Sequence, residues 1–269
     1  MPKIVLWSPV PAKVGQTHAA IALATLMAIE EDYSNLLIYS QWLSNKISSS
    51  YEDYYTLKSK GVFGNSSMGI TALTRLGESN KLTPESIRNY SKPILKQRLD
   101  TMYGLNAVTR DQYQDLVKNF PGIIQRANEA YDIVWIDSSK GMEREYIRET
   151  LKKADLVICT LCQDIAILDE AIKEINSNEI LKEKNKLLLM CDYEPKSRYN
   201  IPNIIRRFGI KEDVFCIPRN YVFVDCCNDG DVVEGFFYKN LNAEKKEYNG
   251  YFISEVRKVI QQILGYIKI

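Results

Sequence analysis

Ser8-Pro9-Val10-Pro11-Ala12-Lys13-Val14-Gly15-Gln16-Thr17-His18 lies between an apolar run, Lys3–Trp7, and a long alanine-rich apolar stretch, Ala19–Ala28. A strand, a tight loop and a helix in that order present unpaired helix N–H groups to an anion, with a glycine to let the backbone come close. The working form of such a phosphate cradle is G-x-x-x-x-G-K-[ST], in which the lysine neutralises phosphate and the hydroxyl meets magnesium. Gly15 and Thr17 are in register with it, but Gln16 stands where the lysine belongs. The candidate nucleotide contacts are therefore Lys13, Val14, Gly15, Gln16, Thr17 and His18, with Lys13 as the one nearby replacement charge. A second candidate is Asp137, which ends the strand-forming run Tyr131–Asp137 and precedes the turn Ser138-Ser139-Lys140-Gly141. A carboxylate there pairs with Thr17 as a magnesium site.

Other chemistry-bearing residues read as structural. His18 is the only histidine and has no carboxylate close in sequence, so it reads as a helix-start side chain. Cys159 and Cys162 have C-x-x-C spacing, but no second pair or histidine accompanies them. They read as buried thiols, as do Cys226 and Cys227. Two basic clusters, Arg88/Lys92/Lys96/Arg98 and Arg198/Arg206/Arg207/Lys211, sit in a chain of net charge +1, so no global field selects nucleic acid.

The elements that must position these groups are short apolar strands alternating with helices. Strands are expected at Lys3–Trp7, Asn35–Ser40, Arg98–Gly104, Tyr131–Asp137, Ala154–Thr160, Lys186–Cys191 and Val214–Pro218. Helices are expected at Ala19–Ala28, Thr71–Asn80, Asp111–Ala130 (kinked at Pro121 or restarted there), Glu143–Lys152, Ile165–Ile175, Asn200–Phe208 and Tyr251–Ile267. Gln41–Lys60 reads as a polar connection, and Asp229–Phe237 as a loop or short helix. Uninterrupted rather than alternating apolar strands imply a parallel sheet buried on both faces. The expected fold is thus α/β: a single doubly wound, mostly parallel sheet with helices on both faces, over residues 1–269 as one domain. Ligands of such sheets sit at the carboxyl ends of the strands. That brings together Ser8–Thr17, Gln41–Lys46 and Ser138–Gly141. The longest apolar run, Ala19–Ile29, is too short to span a bilayer, and the start lacks a secretory pattern, so a cytoplasmic protein is expected.

Taken together, these segments resemble the ParA/MinD family of deviant P-loop ATPases, including the pilus-positioning TadZ/CpaE branch. The resemblance runs through the opening strand-loop-helix, Leu36–Ser40, Tyr131–Gly141, Ala154–Ile158, Ile217-Pro218, Asp225 and Gly235. It implies ATP and magnesium as ligands, ligand-responsive loops at Gln41 and Gly141, a nucleotide-linked homodimer, and recruitment to a surface. DNA, or membrane contact through a C-terminal helix, would be the surface in some relatives. The family loop K-G-G-x-G-K-T-[TS] falls on Pro11–His18, so both its lysines are lost, at Pro11 and Gln16. Its glycines fall on Ala12 and Lys13, and Tyr39-Ser40-Gln41 lacks the family's water-positioning acids. Phosphoryl transfer relies on positioning and charge. The departures imply weak or absent nucleotide binding, no useful turnover, and a dimerising module that locates a protein assembly such as a pilus or secretion machine. A slow partition-type ATPase that binds DNA is the alternative. The stripe Phe252, Ile253, Val256, Val259, Ile260, Ile263, Leu264 and Ile267 reads as core packing rather than as a membrane face.

Overall fold

Five consecutive buried residues in each of Leu36–Ser40 and Ile133–Asp137 leave no solvent-facing side, so these strands pair within a sheet covered on both faces. The computed structural model describes residues 1–40, 46–62, 67–104, 117–141 and 145–267. Its strands are β1 (Lys3–Trp7), β2 (Asn35–Tyr39), β3 (Lys92–Leu95), β4 (Leu99–Thr101), β5 (Ile133–Asp137), β6 (Leu156–Leu161), β7 (Lys186–Tyr193) and β8 (Val214–Pro218). They form one sheet in the order β3-β4-β2-β5-β1-β6-β7-β8. All neighbours are parallel except β3 and β4. The expected α/β class, with a mostly parallel sheet between helical layers, is the fold observed.

Alternate residues of each strand enter two separate cores. Val5, Trp7, Ile38, Val134, Ile136 and Cys159 face one helical layer. Ile4, Leu6, Leu37, Trp135, Ile158 and Leu189 face the other. The second layer contains α1 (Gln16–Glu30), which is apolar almost all round. Its alanines let it lie closely between the sheet and the terminal helix Tyr248–Tyr266. That terminal helix buries Phe252, Ile253, Val256, Val259, Ile260 and Ile263 in the same core. Among the described residues no helix is long and apolar enough to cross a membrane.

Several elements were invisible to periodicity. The stretch expected to be a polar connection contains helices Lys46–Tyr51 and Tyr54–Ser59. The second is started by Asp53, whose carboxylate accepts from the Thr56 N–H at 2.8 Å. Helix Tyr221–Asp229 is likewise fixed by a cap: Asn220 Oδ1 accepts from the Phe223 N–H at 2.9 Å. A π-helical segment, Val232–Tyr238, follows it. Val117 and Lys118 are helical, Asn119 is a turn, and a new helix, Phe120–Ala130, starts with Pro121 in its first turn, the position proline tolerates, as expected of a break at that proline. Residues 111–116 of that expectation, like Gln41, lie outside the described residues. The short strand β3 carries Pro93 and closes one side of the sheet, and β8, ending in Pro218, closes the other.

Candidate functional site

The carboxyl ends of β1, β5 and β6 meet at the start of α1. Gly15 precedes α1 with φ +77°, a left-handed conformation that turns the chain from loop to helix without steric penalty. A Cβ there would stand 3.1 Å from Cys191 Cβ on β7. The next side chain, Gln16, is 2% exposed and points inward. Its Nε2 donates to Asp137 Oδ1 at 2.6 Å, to the Ser138 carbonyl at 2.7 Å and to the Leu6 carbonyl at 3.2 Å. Its Oε1 accepts from Thr160 Oγ1 at 3.2 Å. Thr17 Oγ1 donates to the other carboxylate oxygen, Asp137 Oδ2, at 2.7 Å. One amide side chain thus ties the ends of β1, β5 and β6 together, at an atom position where a lysine ammonium would face outward to phosphate.

The loop after β5 is held from every side. The Ser138 N–H donates to Leu6 O at 3.0 Å and the Gly141 N–H to Ser8 O at 2.9 Å. Trp7 Nε1 donates to Gly141 O at 2.9 Å. The Ser139 N–H donates to Ser40 Oγ at 3.1 Å. The Ser139 hydroxyl donates to Ser40 O at 3.0 Å and accepts from Tyr146 OH at 2.7 Å. Lys140 Nζ donates to the Ala12 carbonyl, which fastens this loop to the loop before α1. Partial burial of Lys140 lowers its pKa; the Asp137 carboxylate opposes this and Lys13 adds to it. Lys140 is a residue that motif reasoning passed over, because nothing in the sequence says that its chain folds back onto Ala12. Lys13 itself is exposed.

Of the sequence candidates, Gln16, Thr17 and Asp137 come together in one buried cluster, Gly15 shapes the turn, and Val14 is buried at 1% exposure. His18 follows Thr17 directly and lies edge-on to Phe223 with ring centroids 6.2 Å apart. Burial is the main cause lowering its pKa, with Lys46 adding to it and Asp192 opposing. Its Nε2 is buried without a protein partner, as is Ser138 Oγ. Beside His18 a cavity of about 20 Å³, lined by Asp192, Asn220 and Phe223, has room for one water. The loops Ser8–Thr17 and Ser138–Gly141 meet as expected of a strand-end site. Gln41 falls outside the described residues.

Burial pushes Cys159 up to about 12 and Cys191 well above its ordinary value. No cluster of three or more metal-ligating His, Cys, Asp or Glu side chains exists among the described residues.

Two features of the donor set depart from a working magnesium-triphosphate cradle. The position for the phosphate-facing ammonium holds a neutral amide that is turned inward. The hydroxyl and carboxylate that would share a metal are bonded to each other.

No protein-family model matches the chain, and no curated protein is detectably similar to it in sequence. Its fold, by contrast, is shared with solved ATPases. It is similar to MinD from Pyrococcus horikoshii, a septum site-determining protein complexed with Mg-ADP, with TM-score 0.69 and 15% identity over 100% of both chains. A ParA family ATPase from Chlorobium tepidum matches with TM-score 0.70 and 12% identity over 95% of this chain and 98% of that one. MinD in a MinC:MinD cell division complex from Aquifex aeolicus matches with TM-score 0.64 and 14% identity over 97% and 96%. Over the described residues the chain shares the fold of these ParA and MinD proteins.

Proposed function

We infer that this chain is a ParA/MinD-like protein that has given up nucleotide hydrolysis and acts as a cytoplasmic, self-associating module that holds a protein partner in place. The observation that carries this reading is the Gln16 side chain. It is spent on Asp137, Ser138 and Leu6, inside the fold, where turnover needs a cation facing the phosphates. Losing a preorganised charged donor raises a phosphoryl-transfer barrier by about 3 kcal/mol, a hundredfold or more in rate. The similarity to a MinD seen with a protein partner supports partner binding on this scaffold.

The test is phosphate release and Mg-ATP binding by the purified chain. The expected result is no release above buffer and no measurable binding heat. Magnesium-dependent turnover at the rate of intact-loop ATPases would overturn the reading.

A second reading, a DNA-associated partition protein, is favoured by one surface. Lys196, Arg198, Arg206, Arg207 and Lys211 are exposed around helix Ile201–Phe208, and no carboxylate pairs with them among the described residues. In the other basic cluster, Arg88 is bound to Ala130 O, while Lys92 and Arg98 pair with Glu52 and Asp32.

A further inference from the structure

We propose that Gln16 is a built-in latch that replaces a bound cation, so that the loop Ser138–Gly141 keeps one arrangement whether or not Mg-nucleotide is offered. The proposal rests on the non-hydrolysing reading and extends it to regulation: the module is constitutive.

In a ligand-operated loop, the ligand supplies the bonds that order the segment, and the segment relaxes when the ligand leaves. Here those bonds are internal. Gln16 Nε2 bridges the carboxylate at the end of β5 and the carbonyl of the first loop residue, at 2.6 and 2.7 Å. Thr160, from β6, holds the amide in the orientation that presents its NH2 to Asp137. Thr17 takes the other carboxylate oxygen. The remaining loop residues are fastened to Ser8, Trp7, Ser40, Tyr146 and Ala12. A ligand shifts an equilibrium only by its differential affinity for two states. The ligand's cation cannot add order to a loop whose anchoring carboxylate and carbonyl already have their donors. It has to break the Thr17–Asp137 bond before it gains one.

Three amides report the state of the loop directly: Ser138, Ser139 and Gly141, each bonded outside its own segment. Their hydrogen exchange is measured in the full chain, alone and with Mg-ATP, and phosphate release is followed in the same samples. In the wild type, exchange at the three amides stays within twofold on adding Mg-ATP. In Gln16→Met, which keeps the side-chain length but removes both donors, exchange rises about tenfold, the effect of losing one net hydrogen bond's worth of local stability. Thr160→Val, which frees the amide to rotate and also removes the hydroxyl's bond to the Trp7 carbonyl, gives a smaller rise and serves if Gln16→Met does not fold. Protection of the wild-type loop by Mg-ATP of tenfold or more overturns the latch. So does wild-type exchange in the variant that folds. Phosphate release with an unchanged loop would instead sink the non-hydrolysing reading and leave the latch standing.

Discussion

At the scale of single residues, the substitution of a charge by an amide does two things at once. It removes the phosphate-facing cation, and it supplies a donor that can enter the protein, because a neutral amide is far cheaper to bury than an ammonium. Gln16→Lys restores the charge. It is expected to give a measurable Mg-ATP binding heat by calorimetry where the wild type gives none, a gain on the scale of one charge-assisted hydrogen bond. His18 gives a pH-dependent outcome. Its folded pKa lies below its ordinary 6.5, so above about pH 6.5 the ring is neutral in both states. As pH falls from there, the unfolded chain takes up a proton before the folded one, and stability declines until the folded pKa is passed. Thermal melts of His18→Phe, which keeps the edge contact with Phe223, should show a weaker decline than the wild type over that window. Gly15→Ala and Gly141→Ala both place a side chain in left-handed backbone, at about 1 kcal/mol. Gly15→Ala should be the more damaging by chemical denaturation, since only there does a Cβ crowd a neighbour, Cys191.

At the scale of elements, the apolar strands and the opening strand-loop-helix were legible because each is a continuous buried run whose period and punctuation leave one solution. The helices at Lys46–Tyr51 and Tyr221–Asp229 were not, since tertiary contacts define them: Tyr51 OH meets Thr25 Oγ1 of α1 at 2.7 Å, and Phe223 packs on Phe236 and Phe252. The site was legible to the level of residue types and missed in direction. Spacing put Gln16, Thr17 and Asp137 at one place, but only the fold shows that Gln16 turns inward, and Lys140 returns to Ala12 through a path that sequence does not encode locally. The terminal helix follows the core reading of its stripe. Ile253→Ala should lower stability by about 3 kcal/mol in denaturant titrations, since it removes a fully buried side chain. A stripe reserved for a membrane would leave that value unchanged.

At the scale of the whole molecule, near-neutral net charge makes any DNA affinity a property of one face. Should the partition reading hold, Arg206→Ala with Arg207→Ala would weaken retention on DNA equally for all sequences and flatten its salt dependence by about two phosphate contacts, measured as the slope of log affinity against log salt. Self-association is bounded by the two ends of the strand order. Pro93 interrupts the donor row of β3, and Pro218 ends that of β8. A second copy therefore meets no continuous template along either flank, and runaway fibre growth by strand addition is discouraged at both. Pairing of this molecule with itself is thereby directed to loops and helix faces rather than to an extended ribbon.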